Sequence, residues 1–378
     1  MNLPPTPTAA PKHLWIERAE DLPRLAAAIV AAPWVALDTE SNSMFVYRER
    51  VCLLQLNAGG EIAVVDTLAI PREAVTAALG PALAAAKRIW LHGGEYDVAC
   101  MKRDFSIALA NIYDTQQAAS LLGYEATGYG AVVERLAGVR LNKSHTQYNW
   151  GTRPLDPEAL RYAIDDVVHL PVVADALVAE VAAHDLDEEV AIANAAVMAT
   201  PAHGGFDQAG FWRIKGVRDL SPKALPVLHA LYVWRDGKAK ELDQPPGRLI
   251  NNELLQALAR NALTSFPALK RLGVRSWFLN DLGEAVIEVI KRAVAQPDDL
   301  PERPRHREVD DAERRRETRL KDWRRDEAAR RGVPLQVVLP AKALEHLKQH
   351  GLGDLATVPQ LGEKRARVYG EKLRELCS

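Results

Sequence analysis

The sequence predicts a mixed α/β sheet domain followed by two all-α modules, and three observations carry that reading. Three short apolar runs come in quick succession between residues 34 and 66, and alternating helix and strand patterns follow to about residue 115. From residue 127 the strand signal stops, and beyond residue 210 the chain is helical throughout. Within that helical part the sequence repeats itself at a constant offset of 89 residues, from Leu231 to Leu320 onward.

In order, Trp34-Val35-Ala36-Leu37 is too short and apolar for a helix and reads as a buried strand ending in Asp38-Thr39-Glu40. Residues 51–56 read as a second strand returning beside it, and 61–66 as a third. Residues 71–86 are an Ala-rich helix with Pro71 at its start. Residues 88–91 form a fourth strand, broken by His92-Gly93-Gly94, and a helix over 95–105 puts Asp97 in its first turn. Residues 111–113 are a fifth strand, with Asp114-Thr115 as a helix start. Short hairpin-like returns followed by helix-strand alternation imply a sheet that is mixed rather than purely parallel. From 127 the chain is helical. A polar loop covers 141–155, Asp156-Pro157 opens a long helix carrying Tyr162, Asp165, Asp166 and His169, and a further helix covers 188–198.

Gly204-Gly205 lies in a Pro- and Gly-containing stretch, a natural boundary. After it, Leu231, Trp234-Arg235, Ala239, Pro245, Leu255 and Leu258 recur without a gap as Leu320, Trp323-Arg324, Ala328, Pro334, Leu344 and Leu347. The Pro-rich, charged stretch 296–304 reads as a linker. The expected domains are therefore 1–204, 205–298 and 299–378.

At 378 residues the chain is long enough for several cores, and a net charge of −2 gives no global attraction to nucleic acid or anionic membrane. Three scattered cysteines, Cys52, Cys100 and Cys377, suit a reducing compartment and make no disulfide framework or zinc knuckle. The Pro- and Ala-rich start lacks a signal-peptide pattern, and no apolar run approaches the ~18 residues that span a bilayer. The expectation is a soluble, cytoplasmic monomer without an organic cofactor.

Asp38 and Glu40 stand two apart on an extended strand, so both side chains leave the same face. Two acids there repel each other and resist dehydration unless a positive charge lies between them. Alone, that pair reads as a solvated strand end rather than a cation site. Asp97 and Asp166 add acids near strand ends, and Tyr162 stands one helical turn before Asp166 on the same face.

This set resembles the DEDD superfamily of 3′–5′ exonucleases, in the subgroup with a tyrosine in the third motif. Asp38-Thr39-Glu40 matches the first motif, the segment from His92 to Asp97 the second, and Tyr162-Ala163-Ile164-Asp165-Asp166 the third. Within it the nearest resemblance is to the ribonuclease D family. Tyr113-Asp114-Thr115-Gln116, Leu141-Asn142-Lys143-Ser144 and Trp150-Gly151-Thr152-Arg153-Pro154-Leu155 look like its intervening segments, and the two repeats resemble HRDC domains. The resemblance implies a ribonuclease H-like α/β exonuclease domain, two HRDC-like domains, and 3′-end trimming of RNA, with tRNA precursors as substrate. It also implies two divalent cations, Mg²⁺ or Mn²⁺. Asp38 would bridge them, Glu40 and Asp166 would hold the water-activating one, Asp97 would support the second, and Tyr162 would orient the attacking water or accept its proton. Hard cations suit carboxylate oxygens, and no His/Cys cluster favours zinc. Departures from the pattern are Glu95, an extra acid not assigned to metal, Asn149 where relatives carry an acid, and the doubled Asp165-Asp166. Spacing selects Asp166 and leaves Asp165 about 100° round the helix.

Other polar residues read as follows. His92 is a structural or substrate-edge group rather than a ligand, and His169 a helix-face residue. Lys143 and His145 are loop residues within possible reach of phosphate, and Arg153 is as structural as it is substrate-facing. Trp234 and Trp323 are core positions. The run 303–331, richer in Lys and Arg than in Asp and Glu, fits either a phosphate-binding face or a solvated helix laced with i, i+4 pairs. Two rival functions remain at this point: a DNA exonuclease using the same acids, and a non-catalytic scaffold binding nucleic acid or protein.

Overall fold

Among the described residues, six strands form one sheet in the order β1-β4-β3-β2-β5-β6: β1 (Leu14–Ile16), β2 (Val35–Ser41), β3 (Val51–Ala58), β4 (Glu61–Asp66), β5 (Ile89–Leu91) and β6 (Ile112–Asp114). The structure is a computed structural model describing residues 11–378 apart from 143, 203, 305, 306 and 308; Lys143 and the first ten residues therefore lie outside the described residues. β2–β3 and β3–β4 are antiparallel, while β1–β4, β2–β5 and β5–β6 are parallel, so the sheet is mixed as the sequence implies. β2 has neighbours on both sides, with Asp38 opposite Gln55 and Glu40 opposite Leu53.

Alternation along β2 explains where its acids go. Val35 and Leu37 point into the core formed with α1 (Leu22–Ala31) and α2 (Arg72–Ala85). Ala36 points to the opposite face, as do Asp38 and Glu40 at the same period of two. The remaining helices of this region are α3 (Glu95–Phe105), α4 (Thr115–Leu121), α5 (Tyr129–Ala137), α6 (Pro157–Val168), α7 (Leu170–Ala183) and α8 (Asp187–Met198). α1 and β1 go beyond the elements expected from the sequence, although Leu22, Leu25 and Ile29 of α1 recur at helical spacing.

The single long helix expected beyond Asp156 is two helices, and His169 sits at the junction rather than on a helix face. The cause is Pro171, which has no N–H to bond the carbonyl of Val167. Asn57 takes that carbonyl instead, its Nδ2 donating at 3.1 Å, and so pins the end of α6 to β3. At the other end Asp156 caps α6, accepting from the Glu158 N–H at 2.7 Å with Pro157 in the first turn.

The helical part contains α9 (Ala224–Glu241), α10 (Pro246–Leu249), α11 (Asn252–Asn261), α12 (Phe266–Arg271), α13 (Ser276–Ala295), α14 (Asp311–Arg331), α15 (Leu335–Val338), α16 (Ala341–His350) and α17 (Glu363–Cys377). The 89-residue offset maps α9, α10 and α11 onto α14, α15 and α16, and Pro245 and Pro334 cap the same short helix in each copy. Trp234 and Trp323 each pack against their own copy's core, Trp323 edge-on to Tyr369 at 5.2 Å. The chain divides into two compact units. One is Met1–Ser41, Val51–His203 and Glu308–Ser378, and the other is Asn42–Arg50 and Gly204–Arg307.

Candidate active site

The acids of β2 meet α6 over a cavity of about 210 Å³ lined by Leu37, Asp38, Thr39, Glu40, His92, Tyr129, Tyr162, Asp166 and Leu170. One carboxylate oxygen from each of Asp38, Glu40 and Asp166 lies within 4.8 Å of the others. Asp97 stands just behind them. Its Oδ1 accepts from the Thr39 hydroxyl at 2.5 Å, so the residue between the two strand acids holds the α3 acid in place.

The electrostatics are those of a site short of positive charge. Burial, then the charges of Asp97, Asp166 and Glu40, hold Asp38 well above the usual carboxylate range. Glu40 is raised by burial and by Asp166 and Asp97. Burial followed by Asp165 and Asp97 pushes Asp166 up to about 8, and burial pushes Asp97 up to about 6 against the Thr39 hydrogen bond. Carboxylates that are dehydrated and repelled mainly by one another, and that among the described residues supply the donors converging within 4.8 Å, fit a hard divalent cation better than zinc.

Tyr162 completes the cavity one turn before Asp166. Burial first, then Asp166, Glu40 and Asp38, raise its phenol above the ordinary value, so it is protonated at neutral pH. Its ring lies 6.0 Å from Trp150 and 6.1 Å from His145, which in turn meets Tyr148 at 5.6 Å. The 141–155 loop thus contributes packing around the tyrosine. Asp165 points away into an ion pair with Arg161 at 2.8 Å, as the 100° displacement implies.

The turn that delivers Asp97 is organised by Asp114, a fully buried N-cap that the sequence shows as a helix start within a family-like segment but not as a partner of this turn. It accepts from the N–H groups of Gly93 (3.0 Å) and Gly94 (2.8 Å) as well as from Gln116 and Gln117. Gly93 has φ +68, a left-handed conformation that favours glycine, and a Cβ there would come within 2.8 Å of Gln116 Oε1, which would have to shift. His92 is a strut beside it: Nδ1 lies 2.9 Å from the Thr115 hydroxyl, and the ring leans on Tyr129 at 5.2 Å. Burial lowers its pKa, with the Asp114 charge and the Thr127 carbonyl pulling the other way. Tyr129 was not anticipated from sequence. It lines the cavity and donates to the Asp165 carbonyl at 3.1 Å. Arg153 is structural, with Nε and Nη2 bridging both oxygens of Asp66 at 2.6 and 2.7 Å.

Residues 14–182 match the family model described as 3′-5′ exonuclease, and 224–290 and 313–377 match that of the HRDC domain. The chain is 30% identical over 366 residues to Ribonuclease D of Acidiphilium cryptum (strain JF-5), spanning 95% of this chain and 92% of the relative. It is 31% identical over 292 residues to Ribonuclease D of Gluconacetobacter diazotrophicus, spanning 76% and 74%. In fold it is similar to the crystal structure of Escherichia coli RNase D, with TM-score 0.73, 24% identity and coverage of 97% and 98%. Together with the acidic cavity, these relationships show that the chain belongs to the ribonuclease D family of 3′–5′ exoribonucleases carrying HRDC domains.

Proposed function

We propose that this exoribonuclease removes 3′-terminal nucleotides from RNA, tRNA precursors among its substrates, using Asp38, Glu40, Asp97, Tyr162 and Asp166. The observation that carries this reading is the convergence of Asp38, Glu40 and Asp166 within 4.8 Å over a cavity that also holds Tyr162. Asp38, Glu40 and Asp166, supported by Asp97, would hold two divalent cations, Mg²⁺ or Mn²⁺, which when bound lower the pKa of water and offset charge on the leaving oxygen. Tyr162, held protonated, donates a hydrogen bond that orients the attacking water; orientation fits its raised pKa better than proton acceptance. The new P–O bond forms as the P–O3′ bond breaks, so the released nucleotide keeps its 5′-phosphate and the shortened RNA ends in a 3′-hydroxyl. Thr39 keeps Asp97 in register with the strand acids, and the Trp150 and His145 rings restrict Tyr162. In this reading the chain acts as a monomer with domains at 1–204, 205–298 and 299–378.

The test uses 5′-labelled tRNA precursor and single-stranded DNA of matched length, with and without Mg²⁺ or Mn²⁺, resolved to single nucleotides. A metal-dependent ladder receding from the 3′ end on RNA supports the reading. Faster shortening of DNA, or internal cleavage, contradicts it.

A further inference from the structure

Repeats of one sequence can use the same residue differently, and Arg235 and Arg324, equivalent at the 89-residue offset, do so. In the first copy Arg235 is buried, and its Nη1 donates to the Ile250 carbonyl at 2.8 Å and to Asn252 Oδ1 at 3.0 Å. The counterpart of Asn252 in the second copy is Ala341, which offers no side-chain acceptor. Arg324 donates through Nε to the Leu335 carbonyl at 3.1 Å, and among the described residues its two terminal nitrogens form no further hydrogen bond. Arg324 lines a groove of about 530 Å³ between α3, α4 and α8 on one side and the second copy on the other.

The groove's chemistry is specific. Exposed Lys342 joins Arg324 on the second-copy wall, and Gln117 and Gln360 add amide groups that can donate or accept. Ile192 and Ala196 on α8 give the opposite wall an apolar floor. Of the two acids present, Glu189 is paired with Lys364 at 3.3 Å. Glu95, at the start of α3, is the other. A third cation of the lining, Arg365, is spent on the carbonyls of Val337, Leu361 and Gln336, which leaves Arg324 and Lys342. Those two cations, hydrogen-bonding amides and an apolar floor in a volume within the range of ligand sites match one nucleotide unit, phosphate outward and sugar or base on the floor. Glu95 also stands in the first turn of α3, two residues before Asp97, so the groove adjoins the turn that builds the catalytic site.

We propose that this groove is a second RNA site, in which Arg324 and Lys342 bind a backbone phosphate of the substrate away from the 3′ end being cut. The proposal rests on the exoribonuclease reading above. The test compares the full-length protein with the Arg324→Gln/Lys342→Gln double variant on a tRNA precursor and on a tetranucleotide too short to reach both sites. The expected result is a KM for the precursor raised roughly three- to tenfold. The slope of log KM against log salt should also fall by about 0.7 per lost single-strand phosphate contact. The kcat and KM on the tetranucleotide should be unchanged, and Lys342→Arg should keep the wild-type values. An unchanged precursor KM and salt slope would overturn the proposal, as would equal losses on both RNAs. Equilibrium dialysis with adenosine monophosphate and with inorganic phosphate separates a free-ligand pocket from an RNA tract. Variant-sensitive binding of either, with precursor KM unaffected, also overturns the RNA assignment. Hydrolysis of the tetranucleotide by wild-type protein tests the exoribonuclease reading independently of the groove.

Discussion

The two HRDC copies share a sequence pattern but not a use for the same face. In the first, Gly273 precedes Arg275 at the start of α13; a Cβ at Gly273 would meet nothing within 4 Å, and Arg275 is exposed. In the second, the equivalent Gly362 lies against α8, where a Cβ would overlap the Glu188 carboxylate and Ile192. Lys364, the counterpart of Arg275, donates its backbone N–H to both Glu188 oxygens at 3.1 Å. Its Nζ donates to the Asp185 carbonyl and pairs with Asp185 Oδ2 at 3.0 Å and Glu189 Oε2 at 3.3 Å. Gln336 adds a 2.7 Å hydrogen bond to Ser120, and Pro334 packs over Gly123. The first copy instead gathers the 42–50 segment into its own unit, with the Tyr47 hydroxyl donating to Asp236 at 2.7 Å and its N–H to Asp243 at 3.1 Å. A repeat therefore need not mean two equivalent modules. Asp185, Glu188 and Glu189 tie one copy into the nuclease unit.

The comparison breaks most directly at Lys364. Lys364→Glu leaves the buried Glu189 facing a like charge and should cost about 3 kcal/mol in urea denaturation, whereas Arg275→Glu should stay within about 0.5 kcal/mol. Equal losses from the two variants would remove the asymmetry.

A second contrast uses the acid cluster, which belongs to the same unit as the second copy. In metal-free protein the folded pKa values of Asp97, about 6, and Asp166, about 8, lie above the unfolded value near 4. The native state thus binds more protons than the unfolded state across that window. Its stability is full below about pH 4 and falls as pH rises through about 6 and about 8. Saturating Mn²⁺ should restore about 2–3 kcal/mol at pH 8 and less at pH 6, in the calorimetric transition of the nuclease unit alone. A metal shift in the transition of the first copy's unit, or a larger gain at pH 6, would contradict the assignment.

The smallest effect compares glycines. Both Gly273 and Gly362 have φ near +80, so alanine strains either by about 1 kcal/mol. Gly362→Ala should cost at least about 1 kcal/mol more, because it alone meets neighbouring atoms. Matched melting curves decide this.

Much of this was legible in the sequence because it is local. Strand alternation put Asp38 and Glu40 on one face, and the four-residue spacing put Tyr162 beside Asp166, with Asp165 turned to Arg161. The 89-residue offset revealed two copies. What was not legible depends on partners far along the chain. Asp114 looks like an ordinary helix cap, yet two of its hydrogen bonds go to glycines some twenty residues earlier. Lys364 looks like a surface lysine until Asp185 and Glu189, some 175 residues earlier, supply its acids. The break at His169 was available from Pro171, but the Asn57 side chain that repairs it lies 110 residues away.

The central claim is that the acids over one cavity perform the hydrolysis. The direct measurement is 3′-end shortening of labelled RNA in Mg²⁺ or Mn²⁺ by wild-type, Asp38→Ala and Asp166→Asn proteins whose folding is verified by calorimetry. The account predicts a single-nucleotide ladder with 5′-monophosphate release for wild type, and at least a thousandfold loss, roughly 4 kcal/mol of transition-state stabilisation, for each folded variant. Near-wild-type shortening by either folded variant would contradict it.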